Sequence, residues 1–309
     1  MSVPAPISAT ILTGFLGAGK TTLLRRILAD PRGVRFGVLV NDFGAVDIDA
    51  DLVAARTEDS VALRNGCVCC TIRDDMIAAL TALVDRDPPP ERIVIEASGV
   101  SRPLPIADAL ADDALASRVR LDGIFCLVDG DAFGTLDFAA TELAIEQAAG
   151  SDVVLLNKAD LADEATLAAV ERTLAGPIPR LRLLRTVEAD VPRDFLFGEE
   201  RRSQRNGVPS HHRDHDHDFA AWHWSSPDPL DPGRLRAAMR RLPPGVLRAK
   251  GILRAKDGGR LVLQAVGKRV AVDHEPGAPA PVRSDVVAIG RPGAMGEDGL
   301  AALLDPCRD

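Results

Sequence analysis

A chain of 309 residues, 46% of them hydrophobic, is long enough to bury two cores, so two globular units are the expectation. The net charge of −8 leaves no basic footprint for a polyanion, which argues against nucleic acid and against anionic membranes as partners. Residues 1–9 hold neither a basic leader nor a long apolar run, and no stretch approaches about 18 uninterrupted apolar residues, so the sequence predicts a cytoplasmic protein.

From Ser8 to about Val187, short β-rich apolar runs alternate with helix-length amphipathic stretches. This predicts an α/β domain over residues 5–190, wound around a largely parallel sheet. Strands are expected at 9–13, 36–41, 93–96, 123–129, 153–157 and 181–185. The first runs into Gly14-Phe15-Leu16-Gly17-Ala18-Gly19-Lys20-Thr21, the G-x4-G-K-[ST] pattern of a P-loop NTPase, and a helical stretch, 22–29, follows. Gly14, Gly17 and Gly19 let successive backbone N–H groups, Ala18 among them, face phosphates at a helix N-terminus. Lys20 reaches the β- and γ-phosphates and is a candidate catalytic group. The Thr21 hydroxyl is suited to Mg²⁺, and Thr22 completes the set.

After the second strand, Asn41-Asp42-Phe43-Gly44 with Asp47 and Asp49 either lines a first switch loop or forms a solvated acidic loop. Next comes Gly66-Cys67-Val68-Cys69-Cys70. Three of the five cysteines crowd into four positions, a spacing unsuited to a disulfide framework and natural for metal thiolates. They stand directly before a predicted helix, 71–84, whose apolar face is Ile72, Met76, Ile77, Leu80, Leu83 and Val84. The positive helix end favours thiolate, and two or three thiolates plus another ligand suit Zn²⁺ or Co²⁺. Cys126, inside an apolar run, and Cys307, in the C-terminal tail, read as structural or incidental.

Glu96 ends the third strand and Gly99 follows three residues later. This E-x-x-G suits a water-orienting or Mg²⁺-linked acid beside a γ-phosphate-sensing amide, and equally a strand-ending glutamate in a turn. Asn157-Lys158-Ala159-Asp160 closes the strand at 153–157 and resembles the guanine-specificity motif of GTPases, in which the aspartate accepts from guanine N1–H and its exocyclic amine. Adenine lacks that donor pair.

Periodicity fades near Asp190, and residues 191–218 read as a charged linker. His211, His212, His215 and His217 lie there, interleaved with acids, as a weak metal-collecting site or as plain hydrophilic residues. Residues 219–306 predict a smaller α+β domain, with a helix at 232–242 capped by Asp231 and strands at 251–255, 260–266 and 286–290 around a Gly258-Gly259 turn.

Phosphate loop, N-D-F-G, G-C-x-C-C, E-x-x-G and N-K-x-D, in this order and spacing, resemble the CobW-like family of metal-handling GTPases. The segments Pro244 to Gly251 and Leu263 to Gly267 are similar to the family's C-terminal domain pattern. The resemblance implies a Mg²⁺-dependent GTPase that uses GTP turnover to pass zinc or cobalt from the cysteine site to a client protein or cofactor-synthesis enzyme. A homodimer is among the assemblies it allows. One departure is Asp42, where the family commonly has glutamate, followed by Ala45 where a second glutamate is frequent, so fewer oxygen ligands stand nearby. A metal buffer or sensor with nucleotide as a structural ligand is the competing expectation.

Overall fold

A computed structural model describes residues 5–40, 60–62, 71–197, 220–296 and 298–308. The chain divides into two compact units, Met1–Asp190 and Val191–Asp309. Among the described residues no helix is long and apolar enough to cross a membrane.

The first unit is an α/β layer structure. Among the described residues its seven strands are β1 (Ile7–Gly14), β2 (Phe36–Val40), β3 (Ser60–Ala62), β4 (Arg92–Glu96), β5 (Val119–Asp129), β6 (Val153–Asn157) and β7 (Leu183–Arg185). They lie in the order β3-β2-β4-β1-β5-β6-β7, and every pair is parallel. A parallel sheet covered on both faces needs near-continuous apolar strands, and β2 and β6 are buried at all five positions. The helix Thr71–Val84 supplies Met76, Leu80 and Leu83 to one core cluster, joined by Ile106 and Leu110 of the helix Pro103–Leu110. A second cluster takes Ala144 and Ala148 from the helix Phe138–Ala149, and Leu167, Val170 and Leu174 from the helix Glu164–Ala175.

Sheet order decides where a ligand can sit. The chain winds outward from β1 to β2 and β3, returns to β4, then crosses β1 to continue at β5. The crevice at such a reversal opens at the carboxyl ends of the strands. The loops after β1, β4, β5, β6 and β7 all emerge at that edge.

The second unit is a five-stranded antiparallel sheet in the order β11-β10-β9-β12-β8. Its strands are β8 (Ala220–Ser226), β9 (Val246–Arg254), β10 (Arg260–Val266), β11 (Arg269–Glu275) and β12 (Ser284–Gly290). In β12 buried Ser284, Val286, Ala288 and Gly290 alternate with more exposed residues, as expected of a sheet with one solvated face. The helices Pro232–Met239 and Gly299–Leu304 close the core over Trp224, Leu235, Met239, Leu253, Leu263 and Val286. Asp231 caps the first helix by accepting from Arg234 N.

Several features depart from the sequence reading, and β3 is a strand where none was expected. β9 starts at Val246, five residues before the expected strand, because Val246, Leu247 and Ala249 are buried in its ladder. β8 and β11 were not expected. The head of the stretch read as a linker is ordered: Arg193–Phe197 is a short helix with Phe195, Leu196 and Phe197 buried. Buried Arg248 donates to the carbonyls of Phe195 and Leu196 at 3.2 and 2.7 Å, and Lys250 to that of Phe197 at 2.6 Å, so basic side chains of β9 donate to the carbonyls at the helix's C-terminal end. Residues 198–219 lie outside the described residues.

Candidate nucleotide site

The phosphate loop joins β1 to the helix Lys20–Ala29. Gly14 and Gly19 have φ of 133° and 106°, in the left-handed region. A Cβ at Gly14 would lie 2.1 Å from the Leu127 carbonyl oxygen, and one at Gly19 2.4 Å from Asn157 Nδ2, so glycine is required at both positions. Lys20 is buried, and its Nζ donates to the carbonyls of Gly14 and Phe15 at 2.9 and 3.1 Å, which folds the ammonium back over the loop. The Thr21 hydroxyl donates to Glu96 Oε1 at 2.6 Å, closing a gap of 75 positions in the chain. A hydroxyl oxygen and a carboxylate oxygen side by side at a helix N-terminus suit a hard divalent cation, so the residues present fit Mg²⁺. Gly17 and Thr22 are open to solvent on the loop and the first helical turn.

The opposite edge is built from the loops after β5, β6 and β7. Asn157, buried at the end of β6, donates from Nδ2 to the Ala18 carbonyl at 2.9 Å. Its Oδ1 accepts from Ala189 N at 2.6 Å and Thr186 Oγ1 at 3.2 Å. Its amide therefore holds the phosphate loop to the loop at 186–190. Lys158 has φ of 58° and donates to Asp129 Oδ2 at 2.6 Å, while Asp129 Oδ1 accepts from the amides of Asp131 and Ala132. Asp160 is exposed. Glu188 and Ala189 are both left-handed, and Arg26 of the phosphate-loop helix grips Glu188 at its carbonyl and at its carboxylate, each at 2.9 Å.

These contacts bring Gly14, Ala18, Gly19, Lys20, Thr21, Glu96 and Asn157 together at one edge of the sheet. Cys67, Cys69 and Cys70, the acidic loop from Asn41 to Asp49, and His211, His212, His215 and His217 lie outside the described residues. Among the described residues no cluster of three metal-ligating side chains occurs. Cys126 and Cys307 are buried free thiols, and burial pushes Cys126 up to about 12, which keeps it neutral and unreactive.

Residues 8–183 match the family described as CobW/HypB/UreG, nucleotide-binding domain, and residues 219–308 match the cobalamin synthesis protein CobW C-terminal domain. The chain belongs to the CobW family. A Sinorhizobium protein named zinc chaperone CobW is 32% identical over 312 aligned positions, covering 85% of this chain and 86% of its own. A Pseudomonas aeruginosa protein of the same name is 32% identical, with 87% and 83% covered. The Escherichia coli protein named zinc chaperone YjiA is 36% identical over 197 positions, with 62% and 61% covered.

Within this CobW-family site, sequence reasoning missed Asp129, Thr186, Ala189 and Gln147. Asp129 carried a weak signal, a carboxylate at the end of an apolar strand, like Glu96. Thr186 and Ala189 carried none, since their part is a hydroxyl and a backbone N–H brought to Asn157 by sheet order. Gln147 sits inside an apolar helix face and is fully buried.

Proposed function

We propose that this protein is a GTP-hydrolysing metallochaperone that takes zinc or cobalt at Cys67, Cys69 and Cys70 and transfers it to a client protein. The hydrogen bond between Thr21 and Glu96 carries the reading, because it places a phosphate-loop hydroxyl and a strand-end carboxylate at one point where a phosphate-bound cation needs both. The names of the relatives support metal delivery and point to zinc.

Glycine-loop amides and Lys20 bind the phosphates, and Glu96 holds the Thr21 hydroxyl in place and orients the attacking water. Mg²⁺, when bound, neutralises charge on the phosphates. Asp160 reads guanine against adenine. The three thiolates are the metal's ligand set, with zinc or cobalt as cargo. They fall in the chain between β3 and the helix Thr71–Val84, which leads on to β4 and Glu96, so a γ-phosphate-dependent change at Glu96 and Gly99 is joined to them through that helix.

The test is a chelator competition titration with zinc and then cobalt, in a non-hydrolysable GTP analogue and in GDP. Metal affinity is expected to differ between the two nucleotide states by about 5–150-fold, with the same factor returned on nucleotide affinity. Cys67→Ser/Cys69→Ser is expected to abolish the tight site. Equal affinities in the two states leave a metal buffer instead, and tight binding that survives the double substitution removes the cysteines. Asp160→Asn is expected to erase most of a GTP-over-ATP preference, and a wild type that binds both equally overturns the guanine assignment.

A further inference from the structure

The segment after Glu96, residues 98–102, is tied to the helix Phe138–Ala149 by two consecutive side chains. Gln147 has no exposed surface, and its Nε2 donates to the carbonyls of Gly99 and Ser101 at 3.0 Å each. One position earlier, Glu146 accepts from Arg102 Nε at 2.7 Å on the exposed side. A side-chain amide has two N–H donors, and here both go to a single loop. The reversed amide would set its oxygen against two carbonyl oxygens, so these partners fix its orientation.

Gln147 is costly where it stands. It lines an apolar cavity of about 60 Å³ with Phe15, Leu16, Cys126 and Phe133. Its Oε1 is buried without a hydrogen-bond partner among the described residues. A leucine or methionine there would fill space and carry no desolvation penalty, so packing does not account for an amide. What the amide does is set peptide planes. In a planar trans peptide the carbonyl and the following N–H point to opposite sides. With the oxygens of Gly99 and Ser101 drawn toward the helix, the N–H groups of Val100 and Arg102 are turned away from it. Gly99 meanwhile abuts the phosphate loop, since a Cβ added there would lie 2.5 Å from Leu16 Cδ2 and 2.9 Å from Leu16 N. The loop is held between the phosphate loop on one side and Gln147 on the other.

We propose that Gln147 is a positioning residue for phosphoryl transfer: by fixing the 99–100 and 101–102 peptide planes it holds the segment against the phosphate loop at Gly99 and keeps the Glu96 carboxylate in register with Thr21. The proposal rests on the GTPase reading above and adds a residue that no motif marks. It predicts that losing the amide affects the triphosphate state more than the diphosphate state, because GDP is held by the phosphate loop and the base loops, whereas the Gln147 amide donates to Gly99 and Ser101.

The experiment compares wild type with Gln147→Met and Gln147→Glu. Gln147→Met keeps side-chain length and loses both donors; Gln147→Glu replaces the two-donor nitrogen with a carboxyl oxygen facing two carbonyls. The expected result is a kcat for GTP at least tenfold lower in Gln147→Met and lower again in Gln147→Glu, with GDP affinity within threefold of wild type and the preference for a non-hydrolysable GTP analogue over GDP reduced. Nuclear magnetic resonance of wild type needs no variant to fold: the Gln147 side-chain amide protons should be protected from exchange and should shift when GDP is replaced by the analogue. A kcat for Gln147→Met within twofold of wild type, or side-chain amide resonances identical in the two nucleotide states, overturns the role of Gln147. Wild type that fails to hydrolyse GTP overturns the underlying reading instead.

Discussion

The two edges of the nucleotide site are built on different principles. At the phosphate edge nearly everything needed sits within Gly14 to Thr21, eight consecutive residues whose geometry is imposed by left-handed glycines and a helix N-terminus. Among the described residues Glu96 joins it from the end of β4. At the base edge no stretch is sufficient. Asn157 joins Ala18, Thr186 and Ala189, Lys158 leans on Asp129, and Arg26 holds Glu188, so five loops and helices meet through side chains far apart in sequence. Chemistry at the first edge should thus be separable from stability, whereas at the second the residues are structural ties.

The largest effect expected from this contrast is Lys20→Ala. Losing the ammonium should lower kcat for GTP by about 10²–10³-fold, the range for removing one charge-stabilising group. Urea denaturation should show stability close to wild type, since the Lys20 ammonium is held by carbonyls of the phosphate loop. Cooperative unfolding shifted by several kcal/mol in Lys20→Ala would break the separation of the two edges.

Asn157→Ala should behave in the opposite way. It strips a partner from the buried Ala18 carbonyl and from the Ala189 amide, at about 1–3 kcal/mol per group, so a loss of about 3 kcal/mol is expected by urea denaturation. GTP and ATP binding should weaken together, because the change loosens the loops that hold any nucleotide. A stability unchanged by Asn157→Ala, measured the same way, would show that the base edge is held by other contacts.

Arg26→Ala sharpens the comparison at its weak end. The pair with Glu188 is exposed on both sides, so the ceiling is about 1 kcal/mol, or less than about fivefold in GDP affinity. Isothermal titration in low and high salt should show the difference shrinking as salt rises. A loss beyond tenfold that persists in high salt would mean that Arg26 holds the left-handed turn at Glu188 and Ala189 by more than an exposed ion pair.

Sequence by itself determined a great deal of this protein. The alternation of apolar runs with amphipathic stretches required a parallel wound sheet, because each strand had to be covered on both faces. The glycine spacing required a phosphate loop, because the loop needs backbone that side chains would obstruct. The cap at Asp231 and the hairpin around Gly258, with φ of 82°, were likewise local matters of backbone geometry. Only the tertiary structure decided what depends on which strands are neighbours. β8 and β11 are strands of mixed polarity whose pattern becomes meaningful only once β12 and β10 lie beside them. The residues 193–197 read as linker because five positions are too few for periodicity, yet Arg248, distant in sequence, makes them a buried helix end. The same holds for the meeting of Gln147 with Gly99 and of Asn157 with Ala189. Each joins a side-chain amide to backbone groups, and backbone groups are identical in every residue, so no residue type announces them; sheet order alone brings the partners within hydrogen-bond reach.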